Sequence, residues 1–248
     1  MRLLKSLFLS LFILAFVVVG AVGAVYFGLE LDKLEETPYF IRNSSGEFRF
    51  LKLRPPTWLD DSEVSVYARW AVLVSEDWAF YDHHGIDFNQ VEDALNESLE
   101  EGKLVRGAST ITQQVVKNLF LSSEKTLKRK LVELILTLYL ENTYSKNQIL
   151  TWYFNLIELG EGIYGLKAAS KHYFKKHPSF LSAREGAFLA MLLPSPVRYS
   201  VSYRKRELTE FAANQIEVIL IKLRQAKIIT EEIRLEERQK TFDWEGDY

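Results

Sequence analysis

The sequence predicts a mainly α-helical domain carried behind a single N-terminal transmembrane helix, and three observations predict it. Between Thr57 and His177 there is no proline, and apolar residues recur there at helical spacing. Leu7 to Phe27 is a run of about 21 residues without a charge, long enough to cross a bilayer core. Arg2 and Lys5 precede that run while Glu30, Asp32, Glu35 and Glu36 follow it, which by the positive-inside rule leaves the short N-terminus in the cytoplasm. A cleaved signal peptide is the rival reading, because Ala21-Val22-Gly23 resembles a small-residue cleavage site. The apolar run is longer than a usual signal core, so an uncleaved anchor is the expectation.

With 248 residues, one globular domain plus an accessory segment is expected. The formal net charge of −2 does not signal a surface for polyanions, so no nucleic-acid partner is expected. The absence of cysteine excludes disulfides, thiolate metal sites and a cysteine nucleophile.

The chain divides into a cytoplasmic N-terminus (1–6), an anchor (7–28), a stalk (29–56), a globular domain (57–200) and a C-terminal helical extension (201–248). The stalk is charged, holds Asn43-Ser44-Ser45-Gly46 and ends at Pro55-Pro56; Phe48 to Leu53 alternates well enough for one short strand. Helices are expected near 62–80, 87–101, 110–120, 124–142, 145–157, 162–174 and 181–193. A last amphipathic helix over about 204–237 places Phe211, Ile216, Ile219 and Leu223 on one side.

Four stretches carry candidate chemistry. The first runs from Ser75 to Asp87. Helical steps of three and four put Glu76, Phe80 and His83 on one face, Gly85 offers a stop, and Asp87 can begin the next helix. An acidic pair, Glu76 and Asp77, beside an aromatic and a histidine suits a general base with a tuned pKa; a solvated helix end is the plainer alternative.

The second stretch runs from Gly107 to Asn118. Thr110 and Gln113 suit a capping box, with Ser109 in the turn before it. Thr110, Gln113, Gln114 and Lys117 make a polar face, and Ile111, Val115 and Leu119 an apolar one. Free N–H groups at a helix start with a lysine further along could cradle a pyrophosphate. Taken alone, these residues fit a plain cap with a solvated face better than a ligand site.

In the third stretch Arg129 and Glu133 form an i,i+4 pair with Lys130 beside them. Glu133 lies in a nearly continuous apolar helix, where a carboxylate is costly unless paired or functional. The fourth contains Ser145, a good N-cap, then Tyr153, Asn155 and a glycine loop from Gly160 to Gly165. Other chemistries find no support. There is no HExxH pattern, no phosphate loop and no GxSxG elbow, and the neighbours His83 and His84 would point apart on a helix.

Together the four stretches closely resemble the peptidoglycan glycosyltransferase family, over about Trp58 to Tyr199. The family's E-D-x-x-F-x-x-H-x-G motif is met by Glu76, Asp77, Phe80, His83 and Gly85. G-x-S-T-I-T-Q-Q-x-x-K-N is met from Gly107 to Asn118, R-K-x-x-E by Arg129, Lys130 and Glu133, and Y-x-N-x-x-x-x-G by Tyr153, Asn155 and Gly160. The resemblance implies a lysozyme-like, two-lobed glycosyltransferase domain that polymerises lipid II into β-1,4 glycan and releases undecaprenyl pyrophosphate.

Carried over, Glu76 is the general base and Glu133 assists at the donor pyrophosphate. Lys117, Arg129 and, outside the firm motifs, Lys125 would balance its charge, and Lys130 is expected among the substrate-binding residues. Asp77, Phe80, His83, Ser109, Thr110, Gln113, Gln114, Asn118 and Asn155 are expected to line or position substrate. A divalent cation, Mg2+ or Mn2+, is expected with the pyrophosphate, in an auxiliary role. Implied partners are lipid II, the nascent glycan strand, the membrane and other cell-wall synthases. The implied location is the bacterial cytoplasmic membrane, single-pass, with the domain on its outer side. A lytic enzyme of lysozyme-like fold and an inactive membrane-anchored scaffold are the alternatives.

Overall fold

The computed structural model describes residues 23, 36–42, 48–102, 107–121, 124 and 126–246. Apart from Gly23, the expected anchor over 7–28 lies outside the described residues, as do Lys125 and the Asn43-to-Gly46 turn. Among the described residues no helix is long and apolar enough to cross a membrane.

The chain enters through an antiparallel hairpin of β1 (Tyr39–Arg42) and β2 (Phe48–Leu51), with Phe40 opposite Phe50. Only the second strand is expected from the sequence. The first forms because Phe40 packs edge-on against Trp58 at 5.0 Å, a contact that local alternation does not reveal.

The rest is helical. Helix α1 (Val66–Glu76) is followed by α2 (Phe88–Glu101), α3 (Ile111–Phe120), α4 (Leu127–Thr143), α5 (Lys146–Leu156) and α6 (Leu166–Phe174). Then come α7 (Ala183–Leu192), the short α8 (Pro196–Tyr199) and α9 (Val201–Lys205), α10 (Glu210–Gln225) and α11 (Glu231–Gln239). Most starts are written locally. Ser65, Asp87, Thr110, Thr126, Ser145, Ser182, Thr209 and Thr230 each cap a helix by accepting a backbone N–H with the side chain.

Every residue of α7 is buried, which makes it the axis of the molecule. Helix α1 lies against it so closely that a Cβ on Gly186 would sit 2.7 Å from Ala68 Cα, and only glycine permits that approach. Helix α10 covers both through Ile216, Ile219, Leu220 and Leu223, while α3 packs between α4 and α5.

Two expectations need correction. The first helix does not run to residue 80; it ends at Glu76, so Glu76, Phe80 and His83 do not share a helix face. Asp77 ends it with φ −160° and ψ 76°, because its carboxylate is bound to α3 and His83 rather than to its own turn. The segment 204–237 is likewise not one helix. Lys227 adopts a left-handed φ of 59°, the Ile228 N–H returns to Leu223 O, and Thr230 starts a new helix. Ile216, Ile219 and Leu223 are buried as expected, but Phe211 remains exposed beside Tyr199.

The tail beyond α10 is part of the core. Phe242 and Trp244 stack at 5.0 Å and both meet Phe188 of α7. The buried Glu237 carboxylate accepts from Ser182 Oγ and the Arg184 N–H at the start of α7, and pairs with Lys240. Burial alone would raise the Glu237 pKa, yet these hydrogen bonds and the Lys240 charge outweigh it and hold it below the ordinary value. A lowered folded-state pKa gives stability that is present above the unfolded value and lost as pH falls through the folded one. Glu237→Ala should therefore cost about 1–3 kcal/mol at neutral pH. Calorimetry should show a Tm gap to the wild type that narrows in acid.

Candidate active site

The site is assembled where the end of α1, the start of α3 and the middle of α4 converge. Asp77 is the clamp. Its Oδ2 accepts the Ile111 N–H at 2.9 Å, and its Oδ1 lies 2.8 Å from His83 Nε2. Since the Gly85 N–H donates to His83 Nδ1 at 3.0 Å, Nδ1 is the acceptor and Nε2 carries the proton toward Asp77. Thr110 Oγ1 donates to Gly85 O at 2.7 Å, and Thr110 and Gln113 form the reciprocal box that starts α3. The loop after Glu76 is thus tied to α3 through two separate bonds, one from the Ile111 N–H and one from the Thr110 hydroxyl. Its far side rests on α4: a Cβ on Gly85, whose φ is +85°, would lie 2.6 Å from Thr137 Cγ2 and 2.9 Å from Glu141 Cγ.

This clamp presents Glu76, the last residue of α1, beside α3. Gln114 Nε2 donates to Glu76 Oε2 at 2.8 Å, and Tyr153 Oη donates to Gln114 Oε1 at 3.3 Å. Burial raises the Glu76 pKa above its ordinary value. The Gln114 hydrogen bond opposes that rise, the Asp77 charge adds to it, and Lys222 of α10 opposes it. Lys222 Nζ also donates to Val74 O in the last turn of α1, at 3.2 Å.

The second cluster is on α4. Glu133 is buried and receives Arg129 Nη1 at 2.7 Å, with Lys130 Nζ on its other oxygen. Thr137, four residues on, is the residue that meets Gly85, so about 6 Å of helix separates this cluster from the Glu76 loop's support. Arg129 and Lys130 remain partly exposed while the carboxylate does not. A buried anion therefore holds two cations at the surface, an arrangement able to receive a phosphate group.

The remaining candidates fall into two sets. Lys117 and Asn118 are exposed on α3, and Ser109 is exposed ahead of it. Phe80 and Asn155 are turned elsewhere. Phe80 is fully buried beneath the Lys146 ammonium, 4.5 Å from its ring centre. Asn155 Oδ1 accepts the Leu59 N–H at 2.9 Å, and its Nδ2 donates to the Leu59 and Thr151 carbonyls. Its amide thus ties α5 to the backbone at Leu59. A carboxamide reads the same in sequence whether it faces ligand or backbone.

The sequence reading does not single out Glu141, Lys146 or Lys222, and it names Tyr153 only for its place in a motif. Glu141 accepts from Thr112 Oγ1 and pairs with Lys146, tying α3, α4 and α5 together behind Gly85. Tyr153 and Lys222 reach Gln114 and the α1 end from helices distant in sequence. A lone lysine between Ile219 and Leu223 in an apolar helix is the one local signal among them.

The scaffold joins a carboxylate at the end of α1, held by Gln114 of α3, to a carboxylate–cation cluster on α4, and sequence comparison identifies its class. Residues 47–224 match the Transglycosylase family, and the chain belongs to it. Among its relatives is the biosynthetic peptidoglycan transglycosylase of Nitrosomonas eutropha, 42% identical over 171 residues, which is 69% of this chain and 68% of that protein. The protein of the same name from Yersinia pestis is 43% identical over 145 residues, 58% of this chain and 60% of its own length.

Proposed function

We propose that this chain polymerises lipid II into β-1,4 glycan. The observation that carries the reading is Glu76, partly buried at a helix end and held by Gln114 in a family of transglycosylases. In the proposed step, Glu76 removes the proton from the acceptor sugar's 4-hydroxyl as that oxygen attacks the anomeric carbon of the lipid-linked donor. The C–O bond to the α-pyrophosphate breaks, undecaprenyl pyrophosphate leaves with both electrons, and the configuration inverts to β. The departing charge meets Arg129 and Lys130, aligned by Glu133, and Lys117, exposed on α3, adds a further cation.

A divalent cation would supply further charge neutralisation on the pyrophosphate. Among the described residues no group of three or more histidines and carboxylates is gathered as a cage, so most ligands would come from the substrate itself. Glu133, already paired twice, is assigned no metal step.

The helical architecture fits a lysozyme-like domain; in the proposed reading it is two-lobed, and the charge-free run within 7–28 anchors it on the outer face of the bacterial cytoplasmic membrane. An exposed apolar row supports contact with lipid. Phe88, Val91, Leu95 and Leu99 follow one another on one face of α2, where only Ala94 is buried, and Leu127 and Leu131 of α4 are 87% and 63% exposed. Leu95→Asp should raise the apparent KM for long-chain lipid II in vesicles roughly tenfold. A short-chain, soluble lipid II analogue should show no such change.

Incubation with labelled lipid II, beside a parallel incubation with finished glycan, tests the reaction class. High-molecular-weight polymer from lipid II is expected. Shortening of finished glycan would instead assign a lytic enzyme, and no reaction with either substrate would favour a scaffold.

A further inference from the structure

The hydrogen bond that reaches Glu76 comes from a carboxamide, and a carboxamide has two ends of nearly equal shape. Gln114 could present its NH2 or its oxygen to the carboxylate at little steric cost. The first supports the ionised acid needed for a base; the second, only the protonated one. Something must select between them.

Tyr153 is the neighbour that can. It is fully buried on α5, its hydroxyl lies 3.3 Å from Gln114 Oε1, and that oxygen is the acceptor it meets among the described residues. Burial, and then the negative charges of Glu76 and Asp77, push its pKa well above the ordinary phenol value, so the group remains a donor throughout the working range. Turning the carboxamide over would leave that buried O–H without its acceptor, a costly arrangement.

We propose that Tyr153 is a positioning residue for the base: by donating to Gln114 Oε1 it fixes the carboxamide with Nε2 toward the Glu76 carboxylate. This rests on the reading of Glu76 as the base and extends it to a third helix. The groups facing Glu76 are then Gln114 from α3, Lys222 from α10 and Asp77 from its own segment, with Tyr153 acting through Gln114. The chain Tyr153–Gln114–Glu76 sets orientation, and Lys222 adds charge without it.

Tyr153→Phe keeps the ring and removes only the hydroxyl, so the core stays filled. The test is a carbon-13 titration of the Glu76 carboxyl in the full chain, its resonance identified by its disappearance in Glu76→Gln. The midpoint should move to higher pH in Tyr153→Phe, and the acid limb of kcat/KM for lipid II should move with it. In a Gln114→Ala background, adding Tyr153→Phe should leave the midpoint where Gln114→Ala alone puts it.

An unchanged midpoint in Tyr153→Phe would overturn the proposal, even with a rate lowered evenly at all pH, since that is what a merely structural tyrosine would give. So would an equal shift with and without Gln114. Failure of the underlying reading looks different: Glu76→Gln would still polymerise lipid II, whatever the titration shows.

Discussion

Glu76→Gln is expected to lower the turnover of lipid II by about 10²- to 10⁴-fold, the range a positioned general base supplies. The fold should survive, because glutamine keeps an oxygen to accept from Gln114 Nε2 and keeps the volume at the end of α1. Stability should even rise at neutral pH. A carboxyl whose folded pKa lies above its unfolded one binds more protons in the folded state across that window, so folding stability falls as pH rises through it. Removing the charge removes that penalty. Lost activity with an equal or higher Tm is the signature of a residue kept for chemistry. Lost activity with a lower Tm would mean that Glu76 serves the fold.

Gly85→Val should be the most damaging substitution in the scaffold. A β-branched residue at φ +85° costs about 1–2 kcal/mol in backbone strain alone. Its side chain would also drive into Thr137 and Glu141, with overpacking of about 1–3 kcal/mol more. The Gly85 carbonyl that accepts from Thr110 and the N–H that donates to His83 would shift together. Calorimetry should show a Tm many degrees below wild type, with activity lost at temperatures where the variant is still folded. Gly85→Ala, which adds only the Cβ, should fall between the two. A wild-type Tm in Gly85→Val would contradict the packing of this loop on α4.

Much of this architecture can be read locally, and what cannot has a common cause. Thr110 with Gln113, Ser145 and Asp87 announce helix starts because caps act over three residues, and each does cap its helix. The Arg129–Glu133 pair is visible for the same reason, being one turn apart. The end of α1 is invisible locally. Ala79 and Phe80 would continue a helix, and the stop comes from Asp77 bonding to Ile111, 34 residues on. The break near Lys227 carries no glycine or proline to mark it.

The candidate site divides along the same line. Residue types and spacing single out Glu76 and Glu133, but the orientation of Gln114 depends on Tyr153, 39 residues away on another helix. Asn155 shows the converse. Its place in a motif does not reveal that its amide is occupied by the backbone of Leu59. Tertiary hydrogen bonds decide both cases, and spacing along the chain does not encode them.

The central claim, that Glu76 is the base of a lipid II polymerase, is tested most directly by the pH dependence of kcat/KM on lipid II. Activity should fall on the acid side as Glu76 takes up a proton, with a midpoint above the ordinary carboxylate value of 4.5, and Glu76→Gln should show no such limb above its residual rate. A wild-type profile that stays flat through pH 4.5, or a Glu76→Gln enzyme with the same acid limb as the wild type, would contradict it.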